Sequence, residues 1–195
     1  ASFFFSKTHV INSIVGLGYV YINKNKRTFF LRLFLNCFFK FFLPKKNYFT
    51  VFQNIDDKKF FESICKINSS NLIRGSGVNL QRFFPQNKKK KYDLIFHSRM
   101  LKDKGIIELV NAIKKIQKKQ TINVLFLGNP DNNNLASITA EQLKKWQMEG
   151  LIDWKEHQEN VVEYLNKSKI SILPSYREGF PKSLLEGASC GLPVI

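Results

Sequence analysis

Glu178 and Glu186 stand eight residues apart in LPSYREGFPKSLLEGASCGLPVI, residues 173–195. A carboxylate accepts hydrogen bonds from hydroxyl groups, so two of them on neighbouring elements suit a ligand rich in hydroxyls. Pro181 fits the first turn of a helix and Gly191 its end, which puts Glu178 in the loop before the helix and Glu186 inside it. Amides around Gly179 and Phe180, with the helix N-terminus near Ser183, are suited to an anion through free N–H groups and the helix dipole. Leu184, Leu185 and Ala188 are expected on a sheet, leaving Glu186 toward a cleft. The plainer alternative is a loop glutamate and a surface glutamate.

Arg99 and Lys104, five residues apart, are the matching cations. A guanidinium binds phosphate oxygens in pairs and an ammonium acts as a compact point charge, so together they favour a diphosphate. Taken alone, they are two of 31 basic residues.

These residues need a scaffold. Apolar runs at 94–96, 122–127, 151–154, 170–173 and 194–195 alternate with helical patterns at 104–119, 139–149, 160–168 and 181–189. Such alternation implies right-handed crossovers and a parallel sheet with helices on both faces, a Rossmann-like half-molecule. Ligands of such sheets bind beyond the carboxyl ends of the strands. There the sequence offers His97, Ser98 and Arg99, then Gly128, then Glu156 and His157, then residues 175–178.

Upstream, 47–80 reads as a strand (YFTVFQ), a short helix after Asp56 and Asp57, and a loop from Gly75 to Asn79. The basic run 87–91 reads as a solvated linker. Residues 29–43 (FFLRLFLNCFFKFFL) are too few to cross a bilayer as a helix. On a helix, Thr28, Arg32, Asn36 and Lys40 form one polar stripe, which Pro44 ends. Two readings stay open. One is a core helix with a wet edge. The other is a helix lying on an anionic membrane, flanked by Lys24, Lys26, Arg27, Lys45 and Lys46, with Arg32, Lys40, Phe38 and Phe41 facing the membrane.

The net charge of +16 attracts polyanions, although codon bias of an AT-rich genome, which also enriches Phe, Asn and Ile, accounts for part of the lysine excess. Zinc-ligand spacing, aromatic RNA-binding motifs and basic heptads are lacking, so nucleic acid is not an expected partner. Cys37, Cys65 and Cys190 are scattered and odd in number, as reduced core thiols would be. The hydrophobic start at Ala1 and the end at Ile195 read as cuts, so an internal piece of a longer chain is expected.

Residues 173–195 resemble the E-x7-E signature of glycosyltransferase family 4. SRMLKDKGIIELVNAI (98–113), GSGVNLQRFFP (75–85), GNPDNNNLASITAEQLKKWQMEGLIDW (128–154) and SIVGLGYVYINK (13–24) are similar to other segments of that family. The resemblance is strongest to bacterial members that build capsule, exopolysaccharide and lipid-linked oligosaccharide. It implies a GT-B fold with a partial acceptor-side domain at 1–80, a linker at 81–91 and an incomplete donor-binding domain at 92–195. It also implies retaining, metal-independent transfer without a cofactor, from a nucleotide sugar, UDP-linked by expectation, to a polyprenyl-diphosphate-linked or polysaccharide acceptor. The expected location is the cytoplasmic face of the membrane.

By the same resemblance, Arg99 and Lys104 neutralise the donor diphosphate, Glu178 meets the donor sugar and Glu186 the ribose. Ser98, Gly179, Phe180, Pro181, Ser183, Leu184, Gly128 and His157 line the donor site. His97 stands where a small residue is common in the family, and His9 is read as core or surface. The alternative function is a non-catalytic paralogue that docks on membranes or holds a nucleotide. An epimerase or phosphorylase of the same architecture is a third reading.

Overall fold

The structure, a computed structural model, describes residues 8–17, 19–22, 25–43 and 46–195. The expectations resting on Ala1, Gly18, Lys24, Pro44 and Lys45 lie outside these residues. The chain forms two compact units, one running to Ser76 and including Glu178–Phe180, the other comprising Gly77–Arg177 and Pro181–Ile195.

The first unit contains β1 (Val10–Ile14), α1 (Tyr19–Ile22), α2 (Lys26–Phe42), β2 (Tyr48–Phe52), α3 (Ile55–Ile64) and β3 (Ser70–Leu72). Its three strands are parallel in the order β1-β2-β3, with Val10 opposite Tyr48 and Thr50 opposite Ser70. Asn54 starts α3 because its side-chain oxygen accepts the Asp57 amide at 2.7 Å. Asp56 and Asp57 then sit inside the first turn, where negative charge meets the positive helix end. Leu17, Leu43, Phe52, Phe61 and Cys65 make the core, and Phe39 of α2 stacks edge-on against Phe61 at 5.0 Å.

Helix α2 covers the expected apolar segment and begins three residues before Phe29. Three of the four residues of its polar stripe turn inward, while Lys40 is exposed. Thr28 is buried, the Asn36 side-chain oxygen accepts the Tyr21 hydroxyl at 2.8 Å, and the half-buried Arg32 donates from Nε to the Thr28 carbonyl at 3.3 Å. A helix apolar nearly all round cannot bury every side against one sheet, so Phe29, Phe30, Leu33, Phe34, Phe38 and Phe41 remain exposed.

The second unit contains β4 (Tyr92–His97), α4 (Ile106–Gln117), β5 (Val124–Leu127), α5 (Ala140–Met148), β6 (Asp153–Lys155), α6 (Val161–Asn166), β7 (Ser168–Ser171) and α7 (Lys182–Ser189). The strands are all parallel in the order β6-β5-β4-β7. Alternation along the strands feeds two cores. Leu94, Phe96, Val124 and Phe126 pack with Ile106, Leu109, Val110 and Ile113 of α4, while Ile95 and Leu125 pack with Val162 and Leu165 of α6. This is the α/β, parallel-sheet architecture expected from the alternating pattern.

Local differences from expectation have physical causes. Lys104 does not open an α-helix: it closes a short 3-10 turn, Lys102–Lys104, and Gly105 at φ 74° separates that turn from α4. A side chain at Gly105 would meet the Pro174 carbonyl oxygen at 2.0 Å, so only glycine allows this approach. Strand β7 ends at Ser171, because its ladder to β4 runs from the Tyr92–Ser168 pair to the Ile95–Ser171 pair rather than along the apolar run at 170–173. Val194 makes a single parallel bridge to Ser171 instead of a strand. In α7 Leu184 packs on the core as expected, whereas Ala188 is exposed and the buried residue of the helix is Gly187.

The basic run 87–91 is exposed, yet the segment holding it is strapped to the second unit. The Gln86 amide donates to Asn166 Oδ1 at 2.6 Å, Lys90 Nζ to the Asn166 carbonyl at 3.0 Å, and the Lys91 amide to the Lys167 carbonyl at 2.7 Å.

Candidate functional site

The carboxyl ends of β4, β5 and β6, together with α7, gather the polar groups of the second unit. Beyond β4, the Ser98 amide continues the ladder to the Leu127 carbonyl at 3.1 Å, and the Met100 amide reaches the Asn129 carbonyl at 3.0 Å. Ser98 is thereby held by its backbone, and Arg99 stands out from the sheet with its side chain 65% exposed. The guanidinium is not idle, since its Nη1 lies 3.2 Å from Asp131 Oδ2 in the loop after β5.

Gly128 and His157 are fixed in the same way. The Gly128 amide bonds the Lys155 carbonyl at 3.0 Å, its carbonyl accepts the Trp154 indole N–H at 3.0 Å, and the His157 amide donates to Asn129 Oδ1 at 2.7 Å. His157 and Glu156 are exposed beside them. Lys104 is half-buried. The loop after β7 is tied to the turn carrying it: the Tyr176 amide and the Ser175 hydroxyl both donate to the Asp103 carbonyl, at 3.0 and 3.2 Å. The Tyr176 hydroxyl donates to Glu108 at 2.6 Å, and that bond raises the phenol above its ordinary range.

Helix α7 brings Glu186 to the end of β4. Gly187 permits this, because a side chain there would come within 2.6 Å of Ser171 Cβ. Glu186 Oε2 then sits 3.2 Å from His97 Nε2, with the two side chains 14% and 8% exposed. Lys182 Nζ, one turn earlier, lies 4.0 Å from Glu186 Oε1. Pro181 precedes α7, and no side chain among the described residues caps the first-turn amides of Lys182, Ser183 and Leu184. Glu178, Gly179 and Phe180 are half-buried and group with the first unit.

The site residues singled out in the sequence thus come from the β4–α4 connection, the loops after β5, β6 and β7, and α7. Asp131, Asn129 and the His97–Glu186 contact are additions that no sequence spacing announces, since the partners lie 32, 28 and 89 positions apart. The rule that ligands gather beyond strand ends pointed at the Gly128 loop, and so at the stretch containing Asn129 and Asp131.

Residues 78–195 match the family described as glycosyl transferases group 1. The chain belongs to that family. It is 27% identical over 197 residues to N,N'-diacetylbacillosaminyl-diphospho-undecaprenol alpha-1,3-N-acetylgalactosaminyltransferase of Campylobacter jejuni, covering 93% of this chain and 50% of the relative. It is 28% identical over 152 residues to N-acetyl-alpha-D-glucosaminyl L-malate synthase of Bacillus anthracis, covering 78% of this chain and 36% of the relative. The chain therefore spans half or less of the length of these curated relatives. Among solved structures, sucrose-phosphate synthase of Thermosynechococcus elongatus superposes with a TM-score of 0.72 at 20% identity, covering 94% of this chain and 49% of that one. The lipopolysaccharide glycosyltransferase WaaG superposes with a TM-score of 0.68 at 14% identity, covering 94% of this chain and 55% of that one. These likenesses show the fold, which is that of the GT-B glycosyltransferases.

Proposed function

We propose that the protein is a retaining glycosyltransferase that moves a sugar from a UDP-linked donor to a polyprenyl-diphosphate-linked or polysaccharide acceptor in bacterial surface glycan synthesis. The observation that carries this reading is the placement of Glu186 at the carboxyl end of β4, beside the connection bearing Arg99 and Lys104, inside the region that matches the family. The Campylobacter relative is named for an undecaprenol-linked substrate, which supports the acceptor class.

The chemistry follows from charge. Breaking the anomeric C–O bond builds positive charge on the sugar and negative charge on the departing diphosphate. Arg99 and Lys104, with the first-turn amides near Ser183 and Leu184, stabilise the leaving group more than the bound donor. Glu178 accepts hydrogen bonds from the donor sugar's hydroxyls, and Glu186 from those of the ribose. Gly179, Phe180 and Pro181 line the sugar and phosphate, with Ser98, Gly128 and His157 on the nucleotide side. The leaving phosphate takes the acceptor's proton on the same face, so configuration is retained without a second carboxylate as nucleophile. Cations fixed at the diphosphate do the work a metal would do, and the reaction needs none.

The test is calorimetry with UDP and a panel of UDP-sugars, followed by transfer assays on extracted undecaprenyl-linked lipids. Arg99→Ala is expected to lower kcat about 100-fold or more, as loss of one preorganised donor to a developing anion does. EDTA is expected to leave the rate unchanged. Absence of UDP binding, with a thermal midpoint indifferent to nucleotide, would overturn the reading in favour of a non-catalytic paralogue. Product formed without acceptor would point to an epimerase or phosphorylase.

The exposed face of α2 supports docking on an anionic membrane from the cytoplasmic side. Phe30, Phe34 and Phe41 are 68%, 67% and 77% exposed, and Lys26, Arg27, Lys40 and Lys46 stand exposed on or beside the helix. Among the described residues no helix is long and apolar enough to cross a membrane; in this reading α2 lies along the interface with its apolar face in lipid. Phe38 and Phe41 insert, Lys40 pairs with headgroups at about 1 kcal/mol, and Arg32 stays on the inward side. Phe30→Asp with Phe34→Asp is expected to abolish flotation with phosphatidylglycerol vesicles; unchanged flotation would refute the docking.

A further inference from the structure

We propose that His97 is a positioning residue for Glu186, and that it sets the protein's affinity for the ribose hydroxyls of the nucleotide without affecting the diphosphate. The inference rests on the nucleotide-binding reading above and deepens it. His97 ends β4, is 8% exposed, and places its Nε2 against Glu186. An ionised carboxylate has only acceptors, so the ring nitrogen facing it at 3.2 Å must be the donor, Nε2–H. The other nitrogen, Nδ1, is buried and has no hydrogen-bond partner among the described residues. A proton there would be a buried donor without an acceptor, so the environment selects the tautomer that points its hydrogen at Glu186.

Glu186 is constrained from two sides. Oε2 takes the imidazole N–H, while Oε1 has Lys182 Nζ at 4.0 Å, and Lys182 is a flexible, 65% exposed side chain. Of these two, the histidine is rigid enough to fix the carboxylate plane, because it belongs to a central strand and has almost no solvent in which to move. Gly187 fixes the helix side of the same contact by seating α7 against Ser171. A carboxylate with one lone-pair direction occupied by the histidine keeps its others for a ligand, and a vicinal diol is the group that uses them at a fixed angle. The cations at the diphosphate follow His97 in the β4–α4 connection, but the backbone there is held by the Ser98 and Met100 amides on the Leu127 and Asn129 carbonyls, so losing the imidazole leaves them in place.

The test is calorimetry of the protein with UDP and with 2′,3′-dideoxy-UDP. The parent protein is expected to prefer UDP by ten-fold or more. His97→Ala is expected to weaken UDP roughly ten-fold while leaving dideoxy-UDP unchanged, so the preference disappears. His97→Gln, whose amide also donates, is expected to restore part of it. Glu186→Gln is expected to remove the preference by itself, and adding His97→Ala to it is expected to change nothing further, the signature of two residues acting through one contact. Equal losses for both ligands, or additive effects in the double variant, would overturn the positioning role while leaving nucleotide binding intact. A parent protein that binds neither ligand would overturn the nucleotide reading itself.

Discussion

The two units follow one parallel α/β plan and complete it differently. In the second unit both faces of the sheet are covered: Phe96 and Phe126 lie in one core, Ile95 and Leu125 in the other, and all four are fully buried. In the first unit one described core forms around Phe52 and Phe61, while α2 shows a row of large apolar side chains to the outside and turns Thr28, Arg32 and Asn36 inward. The contrast teaches that an apolar run states how much surface wants covering, and not which side is covered. Phe34 in α2 and Phe126 in β5 look alike in the sequence and differ by 67% exposure against none.

The sharpest way to test the contrast is to truncate one phenylalanine in each unit. Phe126→Ala is expected to destabilise the protein by about 3–5 kcal/mol in denaturant unfolding, because it removes a fully buried ring that stacks on Phe96 at 5.0 Å.

The next largest effect concerns the amino-terminal end of the second sheet. Asp93 Oδ2 accepts the Asn123 amide at 2.9 Å, and Oδ1 lies 2.8 Å from Lys169 Nζ. The Asn123 amide, helped by Lys169, holds this carboxyl below the usual carboxylate range. Its folded pKa is depressed, so its stabilisation is present above about pH 4 and lost as pH falls through the folded value. Asp93→Asn is expected to cost about 1 kcal/mol at pH 7, with the gap to the parent closing in acid. A gap independent of pH would mean that the carboxylate's charge plays no part.

A smaller effect is expected at Arg99. Asp131→Asn releases the guanidinium from an ion pair that is largely solvated on the arginine side, and UDP affinity should rise two- to three-fold. The smallest belongs to α2. Phe34→Ala in the absence of membrane should move stability by no more than about 0.5 kcal/mol. A loss comparable to that of Phe126→Ala would show that the face is covered, and the contrast between the units would fail.

Much of the second unit was legible in the sequence, for reasons visible residue by residue. Strands β4 and β5 alternate between two cores and so read as apolar runs, and Thr139 announces α5 because its hydroxyl accepts the Gln142 amide. What was not legible depends on contacts distant in the chain. The 3-10 turn at Lys104 ends where Gly105 passes close to the Pro174 carbonyl, and β7 is set by its pairing with β4, from Tyr92–Ser168 to Ile95–Ser171. Of the site, residue types and their place after strands can be read from the chain; the partners of His97 and Arg99 cannot. The inward turn of the α2 stripe was hidden because a stripe of four polar residues reads equally well as a wet edge or as a set of groups bonded to the chain's own interior, here Tyr21 and the Thr28 carbonyl.

The three thiols divide along the same line. Burial raises the Cys65 and Cys190 thiols above their ordinary range, while Cys37 is exposed on α2. Near neutral pH a maleimide should therefore mark one position, without any cysteine being removed first. That position lies on the helix whose surroundings are in question, so a polarity-sensitive dye attached there would report, in one emission spectrum, whether α2 meets water, lipid or protein.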